Sequence, residues 1–393
     1  MTGRVLLLSW GVPPATSGSA IVVANLAAEF SEQEMVVAGE YVPGLNDEVR
    51  PPGSSQIVYL FRALSPGLRG ERWWRWLNLP KALWATNRLV RTRDCGGIVV
   101  VFPDELFLLI GYLISLWRGT LLFPYYHNTY RENRKGIALV LARWLEPRVL
   151  RRAQCVFVLS EALREILAAR HPNCRIEVLP HPCREALPSP PQAPPGIHSP
   201  MRLILYGNIN GSGLDAAARL FRVIRRRSDL DLTICSGLSP DYLAALGFEG
   251  PNIRVLGVRG AGLMAQIREA DIVLLPHGLT GPIADIEIES IFPTKTIEAL
   301  FSGRPILAHT PTGCFLTRFL RDHQCALIVD QASEPALGVA LDRLREEATL
   351  RLDLVRAAQR TAGYFNASRV AQRLKYQLAR EPASDGGRTR GGS

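Results

Sequence analysis

The residues from Phe292 to Leu307 read FPTKTIEALFSGRPIL, and Lys295 among them is one of four lysines, with Lys81, Lys135 and Lys375, in a chain whose positive charge is otherwise arginine. A helix is expected over Lys295–Phe301, with Pro293 where a first-turn proline would stand and Glu298 one turn beyond Lys295 on the same face. A lysine beside the positive end of a helix is unfavourable. It is accounted for if an anion such as a diphosphate is held at the same spot, with Glu298 accepting from the hydroxyls of a ribose. The competing reading is an amphipathic helix with an exposed Lys–Glu pair.

Three further places have residue types suited to ligands. His127, in YYHNTYREN, follows the strand expected at Leu121–Tyr125, at the carboxyl end where parallel sheets bind ligands; a structural histidine is the alternative. His181 (LPHPC) and His277 (LLPHG) also end strands but neighbour prolines, so turn roles serve them equally well. GVPPATSGSA (Gly11–Ala20) separates the first strand from a helix near Ser19, and YGNINGSG (Tyr206–Gly213) takes the same position in the second half. Small-residue loops that open helices expose backbone N–H groups suited to phosphate or sugar oxygens. Neither loop has the G-x-G-x-x-G or Walker pattern, so plain β–α turns are the alternative.

A fourth segment is of another kind. Trp73, Trp74, Trp76 and Trp84 are interleaved with Arg69, Arg72, Arg75, Lys81, Arg88 and Arg91, and Pro80 is expected to divide a short turn from a helix starting at Lys81. Tryptophan among arginines suits an anionic membrane surface; tryptophans packed inward are the other reading. No nucleic-acid-binding signature accompanies them.

The elements that must position these residues alternate. Strands are expected at Val5–Ser9, Met35–Ala38, Ile57–Leu60, Ile98–Phe102, Leu121–Tyr125, Cys155–Leu159 and Ile176–Leu179. They resume at Leu203–Tyr206, Leu232–Cys235, Ile253–Leu256, Ile272–Leu275, Pro305–Ala308 and Ala326–Val329. Helical patterns fall between most of them, at Ser19–Phe30, Lys81–Arg93, Leu106–Trp117, Ile137–Arg152, Glu161–Ala169, Leu214–Arg227, Gly262–Glu269, Lys295–Phe301 and Glu334–Glu347, while Pro276–Phe292 reads as a long loop. Alternation with apolar strands predicts α/β architecture built on doubly wound parallel sheets. Pro188–Pro200 (PSPPQAPPGIHSP) suits neither regular element and reads as a linker. The expected organisation is a domain over 1–187, the linker over 188–200, a second domain over 201–365, a helix over 366–381 crossing back to the first domain, and a disordered tail over 382–393.

Composition bounds the function. A chain of 393 residues accommodates two domains of roughly 180 residues. A net charge of +10 favours an anionic partner without choosing among nucleotide, nucleic acid and membrane. Seven cysteines, scattered and never paired as CxxC, fit reduced thiols in a cytoplasmic setting and argue against a structural zinc site. The strongest apolar run, Leu106–Trp117, is well short of the ~20 residues of a spanning helix.

In this order the segments resemble the GT-B glycosyltransferases, most closely those of family 4, over nearly the whole chain. SGSA (Ser17–Ala20) resembles the family's amino-terminal glycine-rich loop, and His127 the histidine after a central strand. RRAQCVFVLSEAL (Arg151–Leu163), VLPHP (Val178–Pro182) and READIVLLP (Arg268–Pro276) resemble its later motifs. PTKTIEALFSGRPIL resembles a helix of several bacterial cell-surface sugar transferases. The resemblance implies a nucleotide-sugar substrate, UDP- or GDP-linked, with no cofactor or metal. It assigns the donor to Gly207, Asn208, Gly211, Ser212, Val258, Pro293, Thr294, Lys295, Thr296 and Glu298, with Lys295 at the diphosphate. His127 lies by the reacting centre, and Gly18 and Ser19 by the sugar or acceptor. A retaining transfer to a glycan or lipid-linked acceptor on the inner face of a cell membrane is the implied setting. Two departures stand out: Ser290 occupies a position where the family has a glutamate, and Asn208–Ser212 lacks the usual arginine and lysine. The first bears on the sugar contact, and the second leaves Lys295 as the main diphosphate cation. A sugar-nucleotide epimerase on the same fold and a non-catalytic scaffold are the alternatives.

Overall fold

The computed structural model describes residues 3–15, 18–47, 57–65, 68–207, 209, 211, 213–257, 261–279, 285–290 and 292–380. The expected tail over 382–393 lies outside them. The first sheet and its helices are β1 (Arg4–Leu8), α1 (Gly18–Ala27), β2 (Met35–Tyr41), β3 (Ile57–Arg62), α2 (Glu71–Leu77), α3 (Leu79–Thr92), β4 (Cys95–Phe102), α4 (Glu105–Arg118), β5 (Leu121–Tyr126), α5 (Gly136–Arg152), β6 (Val156–Val158), α6 (Glu161–Arg170) and β7 (Ile176–Val178). The second has β8 (Met201–Tyr206), α7 (Leu214–Ile224), β9 (Leu230–Cys235), α8 (Pro240–Ala245), β10 (Ile253–Leu256), α9 (Ala261–Glu269), β11 (Ile272–Pro276), α10 (Asp285–Ser290), α11 (Lys295–Phe301), β12 (Ile306–His309), α12 (Phe315–Asp322) and β13 (Leu327–Val329), followed by α13 (Glu334–Glu346), α14 (Ala348–Ala362) and α15 (Ala367–Ala379).

Both sheets are wholly parallel, in the orders β3-β2-β1-β4-β5-β6-β7 and β10-β9-β8-β11-β12-β13. Helices cover both faces of each. Leu6 and Leu8 enter a core with α3, α4, α5 and α6, while Leu7 faces α1 and α15. Burial on both faces explains why β1 is an unbroken apolar run rather than an alternating one. The close fit of helix to sheet is visible at Gly111 in α4, where an added Cβ would come within 2.2 Å of Val100 Cγ2. Asp104 caps α4 by accepting from the N–H of Phe107 at 3.0 Å, and Gly119, at φ 68°, ends it.

Four expectations are corrected. Pro276–Phe292 is not loop throughout, because Asp285–Ser290 closes into α10. Pro80 does not begin a helix at Lys81; it sits inside the first turn of α3, where its missing N–H costs nothing, and the segment before it is the helix α2. Pro293 lies outside α11: its carbonyl accepts from Thr296 N–H at 2.9 Å in a tight turn that leads into the helix. Helices α8, α12 and α14 add to the expected set; α14 contains Arg351, which is buried because its guanidinium donates to the carbonyls of Leu344, Arg345 and Pro195.

The chain passes between the domains twice. After β7 it runs through a segment without regular structure, to which Arg356 donates at the Pro191 carbonyl. After α14 and one 3-10 turn it returns as α15, whose Val370 and Leu374 pack with Val22 and Leu26 of α1. Where the two passages meet, Cys183 N–H donates to Phe365 O at 2.7 Å and Ala367 N–H to Cys183 O at 2.9 Å.

Candidate functional site

In each sheet the strand order reverses once, between β1 and β4 and between β8 and β11, and the crevice at the carboxyl ends of such strands is where open α/β sheets hold ligands. The two crevices face each other. A Cβ built on Gly18, the first residue of α1, would lie 3.8 Å from Thr294 Cγ2, so the start of α1 abuts the residue that precedes α11.

The amino-terminal wall is built around His127. Its Nδ1 lies 3.1 Å from Ser19 Oγ, its backbone N–H donates to Phe102 O at 3.1 Å, and its ring meets that of Tyr125 edge-on at 4.5 Å. The Tyr125 hydroxyl donates to Leu179 O at 2.9 Å, which ties this corner to the turn carrying His181. The His181 ring is 5.9 Å from that of His127. Burial pushes His127 well below the usual imidazole range, with His181 adding to the effect, and burial lowers His181 to about 3. Both rings are therefore neutral near pH 7. Nε2 of His127 and Nδ1 of His181 are buried with no hydrogen-bond partner. Such atoms cost about 1–3 kcal/mol each when left unpaired, and a ligand hydroxyl at Nε2 of His127 would satisfy that one. His127 also lines a space of about 10 Å³ with Asn128, Ser160, Ser290 and Phe292, room for one hydroxyl-sized group.

The carboxyl-terminal wall is charged. Tyr206, the last residue of β8, donates its hydroxyl to Lys295 O and so fastens the start of α11 to the first β–α crossing. Burial lowers Lys295 to about 8 against the pull of Glu298, and burial raises Glu298 to about 7 against its own backbone N–H and Lys295. Among the described residues, no hydrogen bond engages the Lys295 ammonium and no ion pair engages either side chain. Thr296 Oγ1, beside them, is buried without a partner. Gly207, at φ 75°, supplies the left-handed turn out of β8, and Gly211 lies in the same connection. Asn208, Ser212 and Val258 lie outside the described residues. Ser290 turns its hydroxyl back to Ile286 O at 2.6 Å, and the neighbouring Glu289 is exposed, so no described carboxylate replaces the family's glutamate there.

Three residues of this wall escaped sequence reasoning. Arg219 pairs with Asp215 at 2.7 Å and donates to His309 Nε2 at 3.1 Å, while His309 Nδ1 donates to Val329 O at 2.7 Å. Asp215 also accepts from Leu279 N–H at 3.2 Å, at the exit of β11. The four-residue spacing of Asp215 and Arg219 at the opening of α7 was the available signal. His277 donates from Nε2 to Ile288 O at 2.9 Å, so its turn is joined to α10.

The tryptophan segment divides. Trp73 is 76% exposed and Trp84 62%, with the Arg88 guanidinium over the latter at 5.5 Å, whereas Trp76 packs against the core. Arg75 leaves the outward set: it bonds Glu40 at 2.7 Å and Asp104 at 2.5 Å, and burial still raises Glu40 to about 7. Ile137, Val140 and Trp144 on α5 are further exposed apolar side chains, which the sequence pattern does not announce. No helix among the described residues is long and apolar enough to cross a membrane.

Residues 16–187 match the family model for Glycosyltransferase Family 4. A sucrose-phosphate synthase from Thermosynechococcus elongatus superposes with a TM-score of 0.71 at 16% identity, covering 96% of this chain and 98% of that one. The architecture is decided. This chain has the GT-B fold. The structure of Anabaena HepE in complex with UDP-glucose matches it at TM-score 0.66 and 13% identity, covering 96% and 99% of the two chains. A trehalose-phosphate synthase (UDP-forming) from Burkholderia xenovorans, in complex with glucose-6-phosphate, matches at 0.66 and 13%, covering 95% and 100%. A search of curated protein sequences finds no match. The chain thus resembles Glycosyltransferase Family 4 in the sequence of residues 16–187, and its GT-B fold extends over both domains.

Proposed function

We propose that the chain is a glycosyltransferase that moves a sugar from a nucleotide-sugar donor, UDP-linked in the first instance, to a hydroxyl of a glycan or lipid-linked acceptor in cell-surface assembly. The observation that carries this reading is the pairing of opposite walls. An ammonium and a carboxylate with no ion-pair partner among the described residues, Lys295 and Glu298, stand one turn apart on α11, and α1 with the Ser19–His127 pair closes against the residue just before them. In this reading Lys295 meets the diphosphate and stabilises the charge that develops as it leaves, a preorganised electrostatic contribution. Glu298 accepts from the ribose hydroxyls, and His127 hydrogen-bonds a sugar hydroxyl through Nε2. The neighbour bound to UDP-glucose supports the donor class. The outward Trp73 and Trp84, with Ile137 and Val140 on the same domain, support attachment to an anionic membrane surface. Retention of configuration follows from family likeness alone.

Calorimetric titration of UDP, GDP, ADP, CMP and dTDP into the chain, and into Lys295→Ala and Glu298→Ala, tests the reading. Saturable binding of one nucleotide, weakened in both folded variants, is expected. Binding by none of the five would point to a scaffold, and turnover of a sugar nucleotide without an acceptor would point to an epimerase.

A further inference from the structure

We infer that a second, larger cavity between the domains is a carbohydrate-binding site, which takes the sugar units of an oligosaccharide acceptor lying behind the reacting hydroxyl. The inference rests on the transferase reading above. The cavity measures about 850 Å³, within the ~300–1,000 Å³ usual for sites of this kind. Its floor is aromatic and comes from the carboxyl-terminal domain. Phe292 is 4.9 Å from Phe319 and 5.6 Å from Phe365 between ring centroids, and Phe315 continues the surface. The facing side is the amino end of α6, Ser160 to Ala162, with Val178 of β7.

The rim decides what the floor is for. It carries Arg318 and Arg360 but also Glu165 and Asp322, all of them exposed. Arg318 and Asp322 stand four residues apart on α12, a spacing at which helical ion pairs form. Even so, no ion pair among the described residues engages Arg318, Arg360, Glu165 or Asp322. Apart from one N–H that Arg318 donates to Gly313 O, these guanidinium donors and carboxylate acceptors have no hydrogen-bond partner among the described residues, around an aromatic floor.

An alkyl chain on this floor would offer the rim donors and acceptors no hydrogen bond. A diphosphate would meet the carboxylates. A neutral sugar presents C–H faces to the rings, and each of its hydroxyls can donate to a carboxylate and accept from a guanidinium. Continuity gives the direction of the chain of sugars. Leu159, Ser160 and Phe292 line both this cavity and the small space at His127, so a glycan seated on the phenylalanines would lead its end toward the Ser19–His127 pair.

The test applies the full chain, Phe319→Ala and Arg360→Ala to a printed array of neutral and acidic oligosaccharides, with UDP calorimetry on the same preparations. Arg360 is exposed, so its variant is expected to fold, which guards against a Phe319→Ala that does not. The expected result is binding of neutral glycans of two or more units, weakened at least tenfold in both variants, with UDP affinity unchanged. An array without a binder, binding confined to acidic glycans, or binding that both variants keep would overturn the inference. If wild-type chain binds UDP but no glycan, the cavity inference alone fails; if it binds no nucleotide, the transferase reading fails first.

Discussion

The two walls of the cleft solve the problem of a polar site in different ways. The amino-terminal wall holds its titratable groups neutral: His127 and His181 are desolvated, and their free nitrogens await a hydrogen bond rather than a charge. The carboxyl-terminal wall keeps an ammonium and a carboxylate close to their titration points, with Lys295 near 8 and Glu298 near 7. A neutral wall discriminates by shape and hydrogen-bond direction, because an unpaired buried donor or acceptor is costly. A charged wall gives affinity for an ionic ligand and answers to pH and salt. The proposed division of labour, with the diphosphate on one side and sugar hydroxyls on the other, follows from this contrast.

The contrast can be broken by substitution on each side. On the neutral wall, His127→Ala is expected to lower turnover by roughly a hundredfold, the lower end of what a positioned proton-transferring or orienting group contributes, with UDP affinity unchanged. Stopped-assay kinetics beside calorimetry would show it, and a parallel loss of UDP binding would mean that the walls are not separate. On the charged wall, Lys295→Ala removes a charge-assisted contact of about 2 kcal/mol, or roughly a thirtyfold loss in UDP affinity. Its remaining affinity is expected to depend less on salt.

The pH dependence sharpens the same point. Glu298 is ionised above about 7 and Lys295 is charged below about 8, so UDP affinity is expected to peak between those values. A bound diphosphate raises the pKa of Lys295, so binding near pH 9 takes up a proton. Calorimetry in buffers of different ionisation enthalpy reads that uptake, and in Lys295→Ala it is expected to vanish. The smallest effect belongs to Ser19→Ala, which removes one neutral hydrogen bond of about 1 kcal/mol, a several-fold loss of turnover at constant UDP affinity.

Much of the frame was legible in the sequence because parallel strands are buried on both faces. Runs such as Ile98–Phe102 and Ile272–Leu275 show as continuous apolar stretches between helices, and each corresponds to a strand here. What escaped notice was set by tertiary contacts. Asp285–Ser290 is acidic and short and has no apolar periodicity to announce a helix. One tertiary contact that holds it is the hydrogen bond from His277 to the Ile288 carbonyl, eleven residues away in the chain. His309 reads as no more than the end of a strand, and only the fold brings Arg219 to it across 90 residues. His181 reads as a turn residue beside prolines; its nearness to His127 depends on two adjacent parallel strands, β5 and β6, and on the turn beyond β7. Lys295 and Glu298 were visible because they share one turn of one helix.

The paired backbone bonds at Cys183 have a mechanical meaning. Both passages between the domains run side by side at this point, one linked to the other at Phe365 and Ala367. Two parallel tethers fastened together join the domains along one line, so a movement of one domain against the other would turn about that line. With α15 packed on α1 and Lys375 on Glu34 at 2.8 Å, Phe292, Phe315, Phe319 and Lys295 all lie on the other side of that line from α1. A turn about that line would carry them as one piece, and the contact of Gly18 with Thr294 is where the two sides meet.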